Sequence, residues 1–304
     1  MPLTLLTGPA GSGKTGEVLE RFAGSLEREP VLVVPTVADV ERYEDELLAR
    51  RPVALGGRIV TFDRLFDLAA SAVGLAGGPR LTRAQRRAVV SAALGDVRLE
   101  ALAESARRPG FVDALDRLLG DCQAGLVGPA ELADRLRRSA ASRRRHLREV
   151  GALYHAYVER RERLGRADAH SLAERVLATL GERPAAWGGR PVLLHGFDDL
   201  TPAQLALVAA LADEAEVSVS VVHERDRVCL AARRSLVERI EALGAEASAE
   251  QLTLDSPSVE PPARGGATLR RVALPARPST SVLGHLERAF MTDAPGRRAP
   301  ARRS

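Results

Sequence analysis

Residues 3–19 read LTLLTGPAGSGKTGEVL, and within this stretch Gly8–Thr15 match the complete pattern GxxxxGK[ST]. The apolar run Leu3–Thr7 before the pattern has the composition of a buried β-strand, and an amphipathic helical pattern follows with Val18 and Leu19. Strand, glycine-rich loop and helix in this order are the context that a phosphate-binding loop requires. The stretch therefore predicts a unit of strand, phosphate-binding loop and helix near the N-terminus.

The residue types in this loop explain how it would hold a nucleotide. Glycines let consecutive backbone N–H groups face phosphate oxygens, and the following helix adds the positive end of its dipole. Lys14 would reach the β- and γ-phosphates, and the Thr15 hydroxyl would ligate Mg²⁺. We therefore predict ATP and Mg²⁺ as cofactors, with Thr15 as the metal ligand and these residues in contact with ATP: Gly8, Pro9, Ala10, Gly11, Ser12, Gly13, Lys14 and Thr15. The alternative is a glycine-rich turn that binds nothing.

Lys14 is the only lysine in the sequence. Every other basic side chain is arginine or histidine, a pattern that we attribute to a GC-rich coding sequence. Because arginine has not replaced lysine here, Lys14 is expected to have a role that needs a compact ammonium. The same bias weakens the net charge of +4, from 44 basic and 40 acidic residues, as evidence for a nucleic-acid partner.

The composition also excludes several classes of protein. Cys122 and Cys229 lack a CxxC companion, so neither a disulfide framework nor a zinc or iron–sulfur site is indicated. No stretch approaches the roughly 18 apolar residues that a membrane helix needs, and no basic region precedes the N-terminal apolar run as in a signal peptide. We therefore expect a cytoplasmic protein without a membrane partner.

Two further strand and helix units follow the loop. Val31–Thr36 and Gly56–Phe62 are strand candidates, each followed by an amphipathic helix, and three such units predict a parallel α/β sheet. Helical periodicity then replaces strands until strand character returns at 191–197 and 216–223. The predicted segments are 1–76, the first part of the phosphate-loop domain; 77–186, a helical insertion subdomain; 187–255, the first domain resumed; and 256–304, a Pro-rich linker, a short strand and helix, and an Arg-rich tail expected to be disordered.

Within the insertion, a helix predicted from Ser142 onward carries arginines on one face as far as Arg163. A basic helix face suits DNA phosphates. The alternative is a solvated face, because Glu149, Glu159 and Glu162 are interleaved with the arginines.

Several segments together resemble superfamily-one DNA helicases. The second strand ends in Pro35-Thr36, Thr61-Phe62 lead into a helix, and a helical insertion precedes the return of the sheet. More narrowly, residues 192–204, VLLHGFDDLTPAQ, resemble a segment of the AddB/RexB-type subunit of the bacterial ATP-dependent helicase-nuclease, which acts in recombination and double-strand-break repair. The resemblance covers essentially the whole chain.

This resemblance implies a fold, partners and site residues. The fold would be an α/β, P-loop RecA-like parallel sheet with a large inserted all-helical subdomain. The partners would be ATP, single-stranded or duplex-end DNA, and a second helicase-nuclease subunit. Thr36, Thr61 and Phe62 would lie near the path of single-stranded DNA, and Lys14 is the first catalytic candidate.

Two departures from the family pattern restrict the expected activity. His195 stands where the metal-binding Asp should end its strand, and Gly196 stands where active helicases carry a catalytic Glu. Asp198 and Asp199 follow closely and are the further catalytic candidates, as substitutes for these carboxylates. The chain also stops before the family's second motor half and nuclease domain, so we expect a truncated member.

Three functions stay open at this point. The missing carboxylates favour a module that binds ATP, hydrolyses it weakly or not at all by itself, and belongs to a DNA-repair helicase-nuclease. One alternative is an active DNA-dependent ATPase half of a translocase. The other is a P-loop small-molecule kinase, although about 100 helical residues before the sheet resumes are too many for a compact lid.

Overall fold

The computed structural model describes residues 2–51, 53–138, 144–223, 231–253 and 268–274. The chain divides into two compact units, of which the sheet unit comprises Met1–Leu65, Pro184–Leu200 and Leu207–Ser304, and the helical unit comprises Phe66–Arg183 and Thr201–Ala206. The predicted linker and tail over 256–304 lie outside the described residues apart from 268–274. Ser142, the expected start of the arginine-rich helix, also lies outside them.

The strands all belong to the sheet unit. They are β1 (Pro2–Gly8), β2 (Val31–Val34), β3 (Arg58–Thr61), β4 (Val192–His195), β5 (Val217–Val222) and β6 (Thr268–Ala273). They form one sheet in the order β3-β2-β4-β5-β1-β6, with every pairing parallel. β2 and β4 are buried along their whole length, as expected for aliphatic strands covered on both faces. The predicted parallel α/β sheet is confirmed.

The register of this sheet brings distant residues to one edge. β1 lies between β5 and β6, so that Leu3 is level with Val217 on one side and Leu269 on the other. β4 pairs with β5, and His195 is level with Ser220. Because the strands are parallel, their carboxyl ends meet at the same edge, which is where ligands bind in open α/β sheets.

The helices follow the periodicity of the sequence. They are α1 (Lys14–Gly24), α2 (Val37–Arg50), α3 (Phe62–Ala72), α4 (Arg83–Leu94), α5 (Ala103–Ala106), α6 (Phe111–Ala124), α7 (Pro129–Arg137), α8 (Arg144–Arg163), α9 (Ala169–Glu182), α10 (Pro202–Ala212) and α11 (Ala231–Thr253). In α1, Val18, Leu19 and Phe22 are buried, and they pack with Leu6 of β1 and Leu32 of β2. Within the described part of the chain, no helix is both long and apolar enough to cross a membrane.

The helical unit has its own apolar core. Val90 of α4, Leu119 of α6 and Leu153 of α8 are fully buried together. α4 begins with a capping box, because the Thr82 hydroxyl accepts an N–H bond from Gln85 while the Gln85 side chain accepts one from Thr82. This core lets the unit be stable through packing of its own amphipathic faces.

Candidate nucleotide-binding site

The glycine-rich loop connects the end of β1 to the start of α1. Gly13, directly before the helix, has φ 93°, and Gly11 has φ 71°, both in the left-handed region that favours glycine. At Gly8 a Cβ atom would lie 2.7 Å from Ser12 Oγ and 2.8 Å from the carbonyl oxygen of Leu274, so any side chain would force the loop to shift. The glycines predicted from the sequence are therefore required by the backbone itself.

Lys14 is folded onto this loop. Its side chain is buried, and Nζ donates hydrogen bonds to the carbonyl oxygens of Gly8 at 2.8 Å and Pro9 at 2.5 Å and to Ser12 Oγ at 3.0 Å. Burial, with a smaller contribution from the positive charge of Arg233, lowers the pKa of Lys14 to about 8. All three acceptors are neutral oxygens, so the ammonium charge is available to an anion placed against the loop.

Thr15 contacts the residue that ends β4. Its hydroxyl shares a hydrogen bond of 3.1 Å with Nε2 of His195, whose Nδ1 shares one of 3.0 Å with the Ser220 hydroxyl on β5. His195 is buried, and this burial, together with the charge of Lys14, lowers its pKa to about 4. The imidazole is therefore uncharged at neutral pH, with one nitrogen donating and the other accepting.

A cavity of about 540 Å³ opens over the loop at the carboxyl edge of the sheet. It is lined by Ala10, Gly11, Gly13, Lys14, Thr15, Gly16, Glu46, Arg50, His195, Gly196, Phe197, Asp198, Ser220, Val222 and Arg233. The structure thus brings the loop together with residues 195–198, which begin at the last residue of β4. It also adds residues that the sequence analysis did not single out, among them Ser220, Arg50 and Arg233.

The carboxylates at this cavity are engaged with arginines. Asp198 Oδ1 accepts a hydrogen bond of 2.6 Å from Arg233 Nε, and Glu46 Oε1 accepts one of 3.0 Å from Arg50 Nη2. Asp199 is not among the described residues that line the cavity, and its Oδ1 accepts a bond of 2.9 Å from Nη1 of Arg239. Of the two aspartates, Asp198 is thus the one placed near the loop.

The side chains that line the cavity are not arranged to ligate a Mg²⁺ ion. Mg²⁺ prefers about six oxygen ligands, usually with one or two carboxylates among them. Here the Thr15 hydroxyl is hydrogen-bonded to the imidazole of His195, and the Asp198 carboxylate is hydrogen-bonded to Arg233. Among the described residues, no group of three or more His, Cys, Asp or Glu side chains is placed to hold a metal ion.

The three predicted DNA-contact residues differ in their exposure. Thr36 is exposed and caps α2, because its hydroxyl accepts the N–H of Asp39 at 3.1 Å. Thr61 is half-buried at the end of β3. Phe62 is buried and packs edge to face against Phe197, with ring centroids 5.2 Å apart. In this conformation, the Phe62 ring is therefore part of the core rather than a stacking surface for a base.

Part of the basic face of α8 makes ion pairs within the helical unit. Arg160 donates to both carboxylate oxygens of Asp96, and Arg161 lies 3.6 Å from Asp168. Glu149 points its carboxylate at the backbone N–H groups of residues 100–102. At Arg160 and Arg161, these contacts favour ion pairs within the helical unit over contacts with DNA phosphates.

Fold and site together define a class of protein: an all-parallel α/β sheet with a glycine-rich loop after its first strand and a helical unit that falls between its strands in the sequence. Within this class the chain belongs to the family described as "ADDB, N-terminal", whose family model matches residues 5–236. The resemblance noted in the sequence is thereby confirmed.

Two curated relatives share one description, the B-type subunit of an ATP-dependent helicase/deoxyribonuclease. The protein of Pelotomaculum thermopropionicum is 32% identical over 233 residues, which cover 70% of this chain and 19% of the relative. The protein of Moorella thermoacetica is 29% identical over 238 residues, which cover 71% of this chain and 20% of the relative. The chain thus spans about a fifth of the length of the curated relatives that it matches.

Proposed function

We propose that this chain is an ATP-binding, DNA-associated part of a helicase-nuclease for double-strand-break repair, with weak or absent ATP hydrolysis by itself. Family membership and the geometry of the loop around Lys14 support the nucleotide part of this proposal. The sheet would then be of the P-loop RecA-like kind, with the helical unit as its insertion. The location in the cytoplasm stays a prediction.

The hydrogen bond between Thr15 and His195 carries the proposal of weak hydrolysis. In phosphoryl transfer to water, a carboxylate at this strand end helps to order Mg²⁺, and another group positions the attacking water. At this strand end His195 is an uncharged imidazole bonded to the Thr15 hydroxyl, and Gly196 follows it without a functional side chain. The site is therefore suited to hold a nucleotide more than to cleave it.

An active DNA-dependent ATPase half is the second candidate, favoured by one observation. Asp198 lines the cavity, so its carboxylate is close enough to the loop to act there if Arg233 releases it. Family membership weighs against the small-molecule kinase. Thr36 and Thr61 would contact single-stranded DNA, and a second helicase-nuclease subunit would be the protein partner.

The test is ATP binding and hydrolysis by the purified chain, with and without single-stranded DNA. Lys14→Ala is expected to weaken ATP binding at least about tenfold, because charge-assisted hydrogen bonds to phosphate are lost. Arg28→Ala is the matched control: Arg28 pairs at 2.9 Å with Glu216, which precedes β5 and so lies at the opposite edge of the sheet. Binding that Lys14→Ala leaves unchanged would contradict the proposal.

Hydrolysis separates the two candidates. Lys14-dependent binding without DNA-stimulated turnover supports the binding module, whereas DNA-stimulated turnover that Lys14→Ala abolishes supports the active ATPase. His195→Asp restores the expected carboxylate and should raise the rate of hydrolysis appreciably. An unchanged rate in a correctly folded variant would refute the argument from the missing carboxylate.

A further inference from the structure

The charge distribution at the cavity is unusual for a site that takes a nucleotide together with a divalent cation. His195, at the strand end nearest the Thr15 hydroxyl, has both ring nitrogens in hydrogen bonds with hydroxyl groups. Neither the neutral nor the protonated imidazole carries a negative charge. A cation at Thr15 would therefore meet an imidazole instead of a carboxylate at this strand end, and Mg²⁺ gives up its bound water reluctantly.

Positive side chains surround the same loop. Lys14 Nζ is hydrogen-bonded to the loop, and Arg50 lies so close that a Cβ atom on Gly16 would be 3.6 Å from Arg50 Nη1. Arg233, at the start of α11, lines the cavity and is mostly buried, with 26% of its side chain exposed. Arg50 and Arg233 are each hydrogen-bonded to one carboxylate, Glu46 and Asp198, whereas the three bonds of Lys14 go to neutral oxygens. All three cationic groups line the cavity beside the loop.

Asp198 positions Arg233 at the cavity. The carboxylate holds Nε of the guanidinium at 2.6 Å. A guanidinium is a planar fork of five N–H donors, so it can stay bonded to a carboxylate on one side and donate to phosphate oxygens with its remaining donors. The Asp198–Arg233 pair can therefore serve as a fixed cationic group for a terminal phosphate.

We propose that this site binds its nucleotide without a divalent cation, and that Lys14 and Arg233 neutralise the polyphosphate instead. The proposal rests on the proposed nucleotide binding and specifies the ionic form that is bound: the free nucleoside triphosphate rather than its Mg²⁺ complex. A Mg²⁺ ion between the phosphates and these cationic side chains would be repelled by them, and the two carboxylates that line the cavity, Asp198 and Glu46, are already hydrogen-bonded to Arg233 and Arg50.

The experiment is a titration of the full chain with a fluorescent ATP analogue, once in EDTA and once in excess MgCl₂. We expect dissociation constants that agree within about threefold, or tighter binding in EDTA. Binding that is more than about tenfold weaker in EDTA would overturn the proposal. If saturable, Lys14-dependent binding is found in neither buffer, the proposed nucleotide binding fails; if it is found only with MgCl₂, this inference alone fails.

Two variants sharpen the result. Arg233→Ala should weaken binding in EDTA at least about tenfold, while Arg28→Ala at the opposite edge of the sheet should leave it unchanged. His195→Asp adds a carboxylate beside Thr15 and should make binding dependent on MgCl₂. Equal binding by Arg233→Ala and Arg28→Ala in EDTA would contradict the role of Arg233, and the wild-type titration decides the proposal even if His195→Asp does not fold.

Discussion

The two units of this protein each bury ionisable side chains, but they balance the charge in opposite ways. In the helical unit, the buried Asp168 accepts hydrogen bonds from Arg86 at 2.9 Å and from the hydroxyl of Tyr157, and Arg161 lies at 3.6 Å. In the sheet unit, the buried Lys14 faces only neutral oxygens in its three hydrogen bonds. One cluster contains both signs of charge, and the other contains a cation without a bonded carboxylate.

The pKa of Asp168 reflects this balance. Burial by itself would raise it, but the N–H of Ser171, the Tyr157 hydroxyl and the positive charges of Arg86 and Arg161 together lower it to about 2. The pKa of Tyr157 is raised, first by its own burial and then by the negative charge of Asp168. Asp168 therefore stays ionised at any pH at which the protein is ordinarily studied.

This difference distinguishes a structural cluster from a binding site. A buried charge whose hydrogen bonds are made to opposite charges within the protein has nothing left to offer a ligand, and its removal leaves the partner charges uncompensated. A buried cation on neutral acceptors is electrostatically incomplete, and an anion completes it. We therefore expect the Asp168 cluster to contribute stability, and the neutral acceptors around Lys14 are consistent with the anion site proposed there.

The largest expected effect is the loss of stability on Asp168→Asn. The substitution keeps the side-chain oxygen that caps α9 through the N–H of Ser171, so it removes the charge rather than the cap. Arg161 and Arg86 lose their buried counter-ion, although Arg86 keeps Asp116 at 2.6 Å, and we expect the free energy of unfolding to fall by about 3 kcal/mol. Urea denaturation of the full chain measures it.

Asp113→Asn is the matched control for this change. Asp113 also pairs with an arginine at 2.6 Å, Arg87, but both side chains are at least half exposed. Water screens an exposed ion pair and competes for its hydrogen bonds, so Asp113→Asn should hardly change the free energy of unfolding. Similar losses for the two variants would mean that the buried Asp168 cluster is not the source of stability that the comparison assigns to it.

The sequence predicts the loop around Lys14 much better than it predicts the buried ion-pair cluster around Asp168. Every residue of the loop can be predicted, because Gly8–Thr15 form a local pattern. The spacing of the glycines, Lys14 and Thr15 in this pattern is typical of one backbone conformation. His195 was also located at its strand end, from the pattern after Val192. The parallel sheet followed from the alternation of strands and helices, which is local as well.

The remaining site residues depend on long-range topology. Ser220 meets His195 only because β4 and β5 are neighbours in the sheet, and the sheet order is not written in any local pattern. Arg233 reaches the loop from a helix that is distant in the sequence. Likewise, Arg86 and Asp168 meet only once several helices have packed, so spacing along the chain gave no signal for the buried cluster.

The second prediction concerns pH and compares the same two clusters. His195 has a folded pKa of about 4 against an ordinary value of 6.5, so the unfolded chain takes up a proton in this range before the folded chain does. The folded state therefore keeps its full stability with respect to His195 above pH 6.5. As the pH falls from 6.5 to 4, proton uptake by the unfolded chain lowers the free energy of unfolding by about 3 kcal/mol in total. The loss for Asp168 comes lower, as the pH falls from 3.8 towards 2.

Chemical denaturation between about pH 7.5 and pH 4 tests this order. The stability of the wild type should fall more steeply between pH 6.5 and 4 than that of His195→Gln, which cannot titrate at this position. His155→Gln, in which the replaced ring is two-thirds exposed, controls for loss of a histidine as such. Parallel profiles for the wild type and His195→Gln would show that the buried imidazole does not resist protonation.

The smallest effect is expected from a carboxylate that is balanced by backbone groups rather than by arginines. Glu149 of α8 accepts N–H bonds from Glu100 at 3.0 Å, Ala101 at 2.8 Å and Leu102 at 2.8 Å. Partial burial would raise its pKa, but these three bonds together lower it. Two of the N–H groups point at Oε1 and the third at Oε2, so a carboxylate satisfies all three, whereas an amide opposes one of them with its own donors.

Glu149→Gln should therefore lower the free energy of unfolding by about 1 kcal/mol, since water can replace part of what a half-buried carboxylate provides. Glu104→Gln is the matched control, because the Glu104 side chain is exposed and pairs only at the surface with Arg108 in the contact described. A loss as large as that of Asp168→Asn would mean that backbone N–H groups balance a carboxylate as effectively as buried arginines do. It is the low exposure of Asp168, and not the number of its hydrogen bonds, that makes its two arginines matter more.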